Sequence, residues 1–471
     1  MEQQNFFNIL DEFFARVTGK RYSEFSSLDD FGDEVRKQAH SLGRRGASEW
    51  NRAIGPLFDF YNGCGTTALN EARQLGGLKL VLGGGSRFTP THLDSVSRAL
   101  LYADSVLIPD PVLPWLETDR SEEAFRHVLT LKAIFTLLHL KPLVDAGLEY
   151  PPVYVFQSWE RSLAARDPMT RQGTEQLVTG VFSSRSGVQF DGFTDLTNFA
   201  SKRSEEFLQI VEREELFVPP GGTAGQPISL ALEEYLADIR TWRSAEHQAM
   251  IGGLPTPLVV LLAIMERLEP QYHLMENSDE LGSHPLVCIP AQSHYYKLCT
   301  DFFIDRLQRN SLVSDDTIRT MNAIQRPELS WLSNIQMSEL VELRRNNENE
   351  KFRQHLQQYT SILHGASLDD LDRVTSEVSQ GISSLIISNR AELARIESKY
   401  RRKHSQTAAA AVTTLVGVLV PTLAPFWGAT VAPLALAGKY VWNKVDERSE
   451  LNTASRSLMG VLARAKSVHQ G

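Results

Sequence analysis

The residues best suited to hold a small anion are Gly83, Gly84, Gly85, Ser86 and Arg87, which follow the apolar run Leu78–Leu82. Consecutive glycines after a strand let backbone N–H groups approach a phosphate closely. A helix opening just behind them adds its N-terminal partial positive charge. Arg87 contributes a planar fork of donors. The pattern matches neither common nucleotide motif: GxxxxGK[ST] is absent, and Phe88 stands where the third glycine of GxGxxG belongs. The competing role for these glycines is to turn the chain out of a buried strand.

Asp110 lies where a parallel α/β sheet commonly receives its ligands, at the carboxyl end of a strand, and its carboxylate has the chemistry of a base or a metal ligand. Flanked by Pro109 and Pro111, it equally suits an Asp-Pro turn, and Asp104 brackets the other end of the same strand. Cys64, in NGCGTTALNEA, would gain thiolate character if it opened a helix. His284, Cys288, His294 and Cys299 fall close together but contain no CxxC knuckle, so the set reads as structural and no metal is assigned. No G-x-S-x-G, H-E-x-x-H or kinase set is present, so no catalytic residue is named; a non-enzymatic role is the first expectation, and an enzyme whose site is assembled from distant positions stays open.

The elements that would position the glycine loop are legible. LKLVL predicts a buried strand, and Thr89 with Pro90 predicts a helix N-cap and first position. Leu93, Val96, Leu100 and Leu101 predict a helical stripe, and SVLIPDP a second strand. Strand, helix, strand at this spacing makes a parallel βαβ unit. A helix from about residue 121 to 140 and a third strand at PPVYVF complete a small three-layer α/β domain over 76–200.

Around it the chain reads as helix, giving a predominantly α fold with a small parallel α/β domain in the N-terminal half. Residues 1–75 form an N-terminal helical segment with Phe6, Phe7, Leu10, Phe13 and Phe14 on one face. Residues 201–336 form a helical domain, in which PLVCIP is too short to decide as a strand. Residues 337–404 are highly charged and predict a long helical hairpin. Its second arm carries Leu371, Val374, Val378, Ile382, Leu385, Leu393, Ile396 and Tyr400, and Ser367 would cap that arm with Asp370 three residues on. Residues 443–471 read as a polar tail.

Residues 405–438 contain no charged side chain. Pro421 and Pro425 divide the tract into two stretches of about 21 Å and about 26 Å as helix, against a bilayer core of about 30 Å. An apolar helical hairpin over 405–442 is therefore expected. Its membrane-contacting residues would be Leu415, Val416, Leu419, Leu423, Phe426, Trp427, Leu434 and Leu436. Lys399, Arg401, Arg402 and Lys403 precede the tract, and Lys439 and Lys444 follow it, so both ends favour the cytoplasm. One kinked crossing and burial in a soluble core are the alternatives.

Composition narrows the classes. Across 471 residues the chain is 42% hydrophobic and 22% charged, as folded proteins are, and its net charge of −9 argues against nucleic acid as a partner. Three cysteines do not make a disulfide framework, and the acidic, amphipathic N-terminus lacks the features of a secretory signal.

The first expectation is a membrane-associated, cytosol-facing protein, with a body that senses a ligand or binds a partner. The alternatives are a soluble nucleotide- or phosphate-binding α/β protein with hydrolase chemistry, and a self-associating helical scaffold built on 337–404. No cofactor is called for.

Overall fold

The computed structural model describes residues 2–25, 31–32, 47–64, 67–83, 88–117, 123–156, 167–219, 221–222, 224–243, 245–310, 315–360, 371–419 and 456–470. The chain divides into two compact units, Met1–Ser330 with Leu363–Thr375, and Trp331–Ile362 with Ser376–Gly471. The fold is predominantly helical with one small parallel sheet.

In the first unit the strands are β1 (Lys79–Leu82), β2 (Ser105–Pro109), β3 (Val153–Phe156) and β4 (His284–Leu286). They pair in the order β3-β2-β1-β4, all parallel, with Leu80 opposite Val106 and Val81 opposite both Leu107 and Pro285. The expected strand-helix-strand unit is present, and the sheet takes its fourth strand from the short segment at 284–286. Pro285 lacks a ladder donor, which an edge strand such as β4 tolerates.

The helices of this unit are α1 (Glu2–Thr18), α2 (Ala47–Cys64), α3 (Thr67–Gln74), α4 (Pro90–Ala99), α5 (Leu113–Glu117), α6 (Glu123–Leu138), α7 (Lys141–Asp145), α8 (Asp167–Ser186), α9 (Phe193–Lys202), α10 (Ser204–Arg213), α11 (Ile228–Trp242), α12 (Ala245–Gly252), α13 (Thr256–Leu281), α14 (Pro290–Asn310) and α15 (Asp315–Ile324). On one face of the sheet, Val81, Leu107, Tyr154 and Phe156 pack with Ala68 and Ala72 of α3 and Leu274 and Leu281 of α13. On the other lie α4, against β1, and α15, against β4. Every residue of β1 is buried, because a sheet covered on both faces has no solvent side. The predicted face of α1 is core: Phe6, Phe7, Leu10, Phe13 and Phe14 are all buried, and Phe14 stacks on Phe135 of α6. A separate helical core gathers Val178, Phe182, Phe207, Tyr235, Ile264 and Tyr295.

One contact caps the outer edge of β3 at Val155. Gln3 is buried on α1, where its Nε2 donates to the Val155 carbonyl and its Oε1 accepts from the Val155 N–H, both at 2.8 Å. The side-chain amide thus stands in for a neighbouring strand residue along the outer edge of β3.

The second unit contains α16 (Met337–Arg345), α17 (Glu348–Thr360), most of α18 (Leu371–Leu419) and α19 (Leu458–Gln470). The first arm of the expected hairpin is thus two helices, separated by Asn346 and by Asn347, whose φ is +53°. Gly381 of α18 lies against Leu356 and Tyr359 of α17, and a Cβ there would come within 2.9 Å of the Tyr359 ring. The close approach of these two helices needs a residue without a side chain. Ser367 and Asp370 lie outside the described residues.

Candidate functional site

Strand order makes the crevice between β1 and β4 the topological switch point, the place where open parallel sheets receive ligands beyond their carboxyl ends. Gly83 leaves β1 there and its N–H donates to the Leu286 carbonyl at 2.8 Å. A Cβ on Gly83 would sit 2.7 Å from Leu274 Cδ2 and 3.3 Å from the Leu286 oxygen, so close packing here favours glycine whether or not the loop binds an anion. Gly84, Gly85, Ser86 and Arg87 lie outside the described residues.

The helix behind the loop opens as expected, with Thr89 as its extended N-cap and Pro90 at the first position. His92 occupies the place usually held by Glu or Gln, and its Nδ1 accepts from the Thr89 N–H at 3.1 Å. With Nδ1 accepting, a neutral ring carries its proton on Nε2. Helix α4 is then fixed by buried Arg98, which donates to the Ile324 carbonyl at the end of α15 at 3.1 Å, and by Gln325, which donates to the Ser95 carbonyl.

Asp110 is buried, and its Oδ1 accepts from the N–H groups of Val112 at 2.8 Å and Leu113 at 3.3 Å. These bonds make it the turn residue that starts α5. Asp104, at the opposite end of β2, accepts from the Leu78 N–H at 2.7 Å.

Of the histidines and cysteines between 284 and 299, Cys288, His294 and Cys299 each have a different partner. His284 is in β4, and the Cys288 N–H donates to Gln292 Oε1. His294 bonds the Glu215 carbonyl through Nε2, and buried Cys299 points to the Leu268 carbonyl. Burial pushes the Cys288 thiol up to about 12, against the pull of neighbouring Ser95 and Arg98. Among the described residues no group of three or more His, Cys, Asp or Glu is placed to hold a metal ion. Cys64 is the last residue of α2 and does not open a helix, which was the placement that would have favoured its thiolate.

The second candidate is the uncharged tract. Helix α18 runs unbroken for 49 residues, about 73 Å at 1.5 Å per residue, and crosses the change from charged to uncharged sequence at 404–405 without interruption. Lys399, Arg401, Arg402 and Lys403 lie on it, as do Leu415, Val416 and Leu419. Leu423, Phe426, Trp427, Leu434, Leu436, Lys439 and Lys444 lie outside the described residues. Among the described residues no helix is long and apolar enough to cross a membrane.

The polar tail expected over 443–471 is, where it is described, the helix α19, which packs into the second unit. Leu458, Val461, Leu462 and Ala465 are buried, Arg464 bonds Glu339 of α16 at 2.6 Å, and Lys466 lies 5.6 Å from the centre of the Trp331 ring. Asn334 donates to the Ala465 carbonyl. No protein-family model, curated protein or solved structure matches this chain.

Proposed function

We propose that this protein engages a membrane through a bent apolar hairpin, residues 405–442, while its body stays on the cytoplasmic side and binds a ligand or a protein partner. The observation that carries the reading is the return of the chain. Helix α18 leads into the tract, and α19, beyond it, packs with α16 and α17 in the same compact unit as most of α18. A single crossing would strand α19 on the far side and forfeit the Glu339–Arg464 pair and the burial of Leu458, Val461 and Leu462. A hairpin that enters and leaves on one side keeps both. In the sequence, Pro421 and Pro425 divide the tract into stretches of about 21 Å and about 26 Å as helix, each short of a bilayer core of about 30 Å, which suits a shallow bend better than a full span.

The test is sedimentation with sealed vesicles of mixed neutral and anionic phospholipid. Full-length protein is expected to pellet with them and to leave α19 open to protease added outside. A variant with 405–442 replaced by a Gly/Ser linker is expected to stay in the supernatant with unchanged helicity. Full-length protein that remains in the supernatant, with a replacement variant that unfolds, would mean the tract is core.

A second reading, a phosphorylated small ligand at the carboxyl edge, draws on the position of Gly83 at the switch point, beside the capped start of α4. Saturable nucleotide or inorganic phosphate binding lost in Arg87→Ala would support it.

A further inference from the structure

We infer that the first unit contains a small-molecule site at the end of the sheet opposite the glycine loop, and that the site selects a compact organic amine. A cleft of about 440 Å³ lies there, bounded by the start of α1, the end of α3, the turn after α7 and the entry to β3. Its polar groups are the amides of Gln3, Gln4 and Gln74, and the Glu71 carboxylate. Leu75, Leu143, Val144, Leu148 and Pro152 supply its apolar walls.

Three features hold this geometry. Gln3 is locked to Val155 by two bonds, which fixes the start of α1 against β3. Gly147, with φ of +60°, turns the chain back after α7 in a conformation that side chains rarely adopt. The Tyr154 hydroxyl donates to Glu71 Oε2 at 2.7 Å and so orients the carboxylate. The other oxygen, Oε1, has no partner among the described residues.

Charge decides the ligand class. Glu71 is the one side chain carrying a formal charge among the lining residues, and no Lys or Arg lines the cleft to neutralise it. A cavity of this size with one oriented carboxylate, flanking amides and an aliphatic wall complements an ammonium or guanidinium on a short apolar body. An anionic ligand would meet uncompensated repulsion.

The test is calorimetric titration of the full chain with 2-phenylethylamine, agmatine and the neutral isostere 2-phenylethanol. The amines are expected to bind saturably, and 2-phenylethanol about tenfold or more weaker, as loss of a charge-assisted hydrogen bond implies. Glu71→Gln should abolish that preference, and Tyr154→Phe should retain it. Gln74→Lys, at an exposed position, puts a cation in the cleft without burying it and should weaken amine binding if Glu71→Gln disturbs folding. Absence of saturable amine binding, or amine affinity unchanged in both Glu71→Gln and Gln74→Lys, would overturn the assignment.

Discussion

Replacing Gln3 with alanine removes the side chain that pairs with the outer edge of β3 at Val155, so its effect is calculable. Two hydrogen bonds of 2.8 Å are lost, each with a net value of about 0.5–1.5 kcal/mol. Val155 is 4% exposed, so its N–H and carbonyl are left in a site that water reaches poorly, which adds to the loss. The sum for local opening of this edge is about 2–4 kcal/mol. Because 1.4 kcal/mol is a factor of ten, the Val155 amide should exchange with deuterium at least about thirtyfold faster in the variant. The Leu80 amide, two strands away on β1, serves as the internal control. Gln3→Glu sharpens the test at neutral pH, since a carboxylate still accepts from the Val155 N–H but has no proton for its carbonyl. Exchange at Val155 within about threefold of wild type in Gln3→Ala, with the chain folded, would refute the idea that this amide completes the sheet.

Two further outcomes follow from the packing and the titrating groups. Gly83→Ala drives a methyl group into Leu274 and the Leu286 carbonyl, and should cost about 1–3 kcal/mol in urea unfolding, whether or not the loop binds an anion. His284 and His294 are held below the ordinary histidine range chiefly by burial, so the unfolded chain binds protons before the folded one does. Their contribution to stability is present above about pH 6.5 and declines as pH falls through their lowered folded values, and His294→Gln should flatten that acid limb in pH-dependent melting.

What could be read from the sequence was set by how local each signal is. β1, β2 and β3 are apolar runs punctuated by glycine and proline, and the Thr89–Pro90 start of α4 is a local cap, so all four were legible. Residues 284–286 are too few for alternation to show and contain a proline, so β4 needed the sheet to reveal it. Helix α18 passes through 404–405 because alanine-rich sequence is as helical as the charged stretch before it; a change of polarity was mistaken for an element boundary. For α19 the signal was present, since Leu458, Val461, Leu462 and Ala465 follow helical spacing, but a polar composition masked it. Gln3 carries no periodic signal at all, as its partner lies 152 residues away. Around the candidate site, the turn role of Asp110 was readable from its flanking prolines. The Glu71–Tyr154 pair, 83 residues apart, was not.

The sheet order also governs how the chain assembles. β1 acquires its second neighbour from a segment about two hundred residues downstream, and the entropy of closing so long a loop is met before any contact rewards it. Until 284–286 docks, one side of Leu80, Val81 and Leu82 presents open N–H and carbonyl groups, a ready template for pairing with another chain. Any fragment that ends between 83 and 283 keeps that side open permanently. Such pieces should aggregate through β1, so a soluble version of the α/β body has to carry the intervening helices with it.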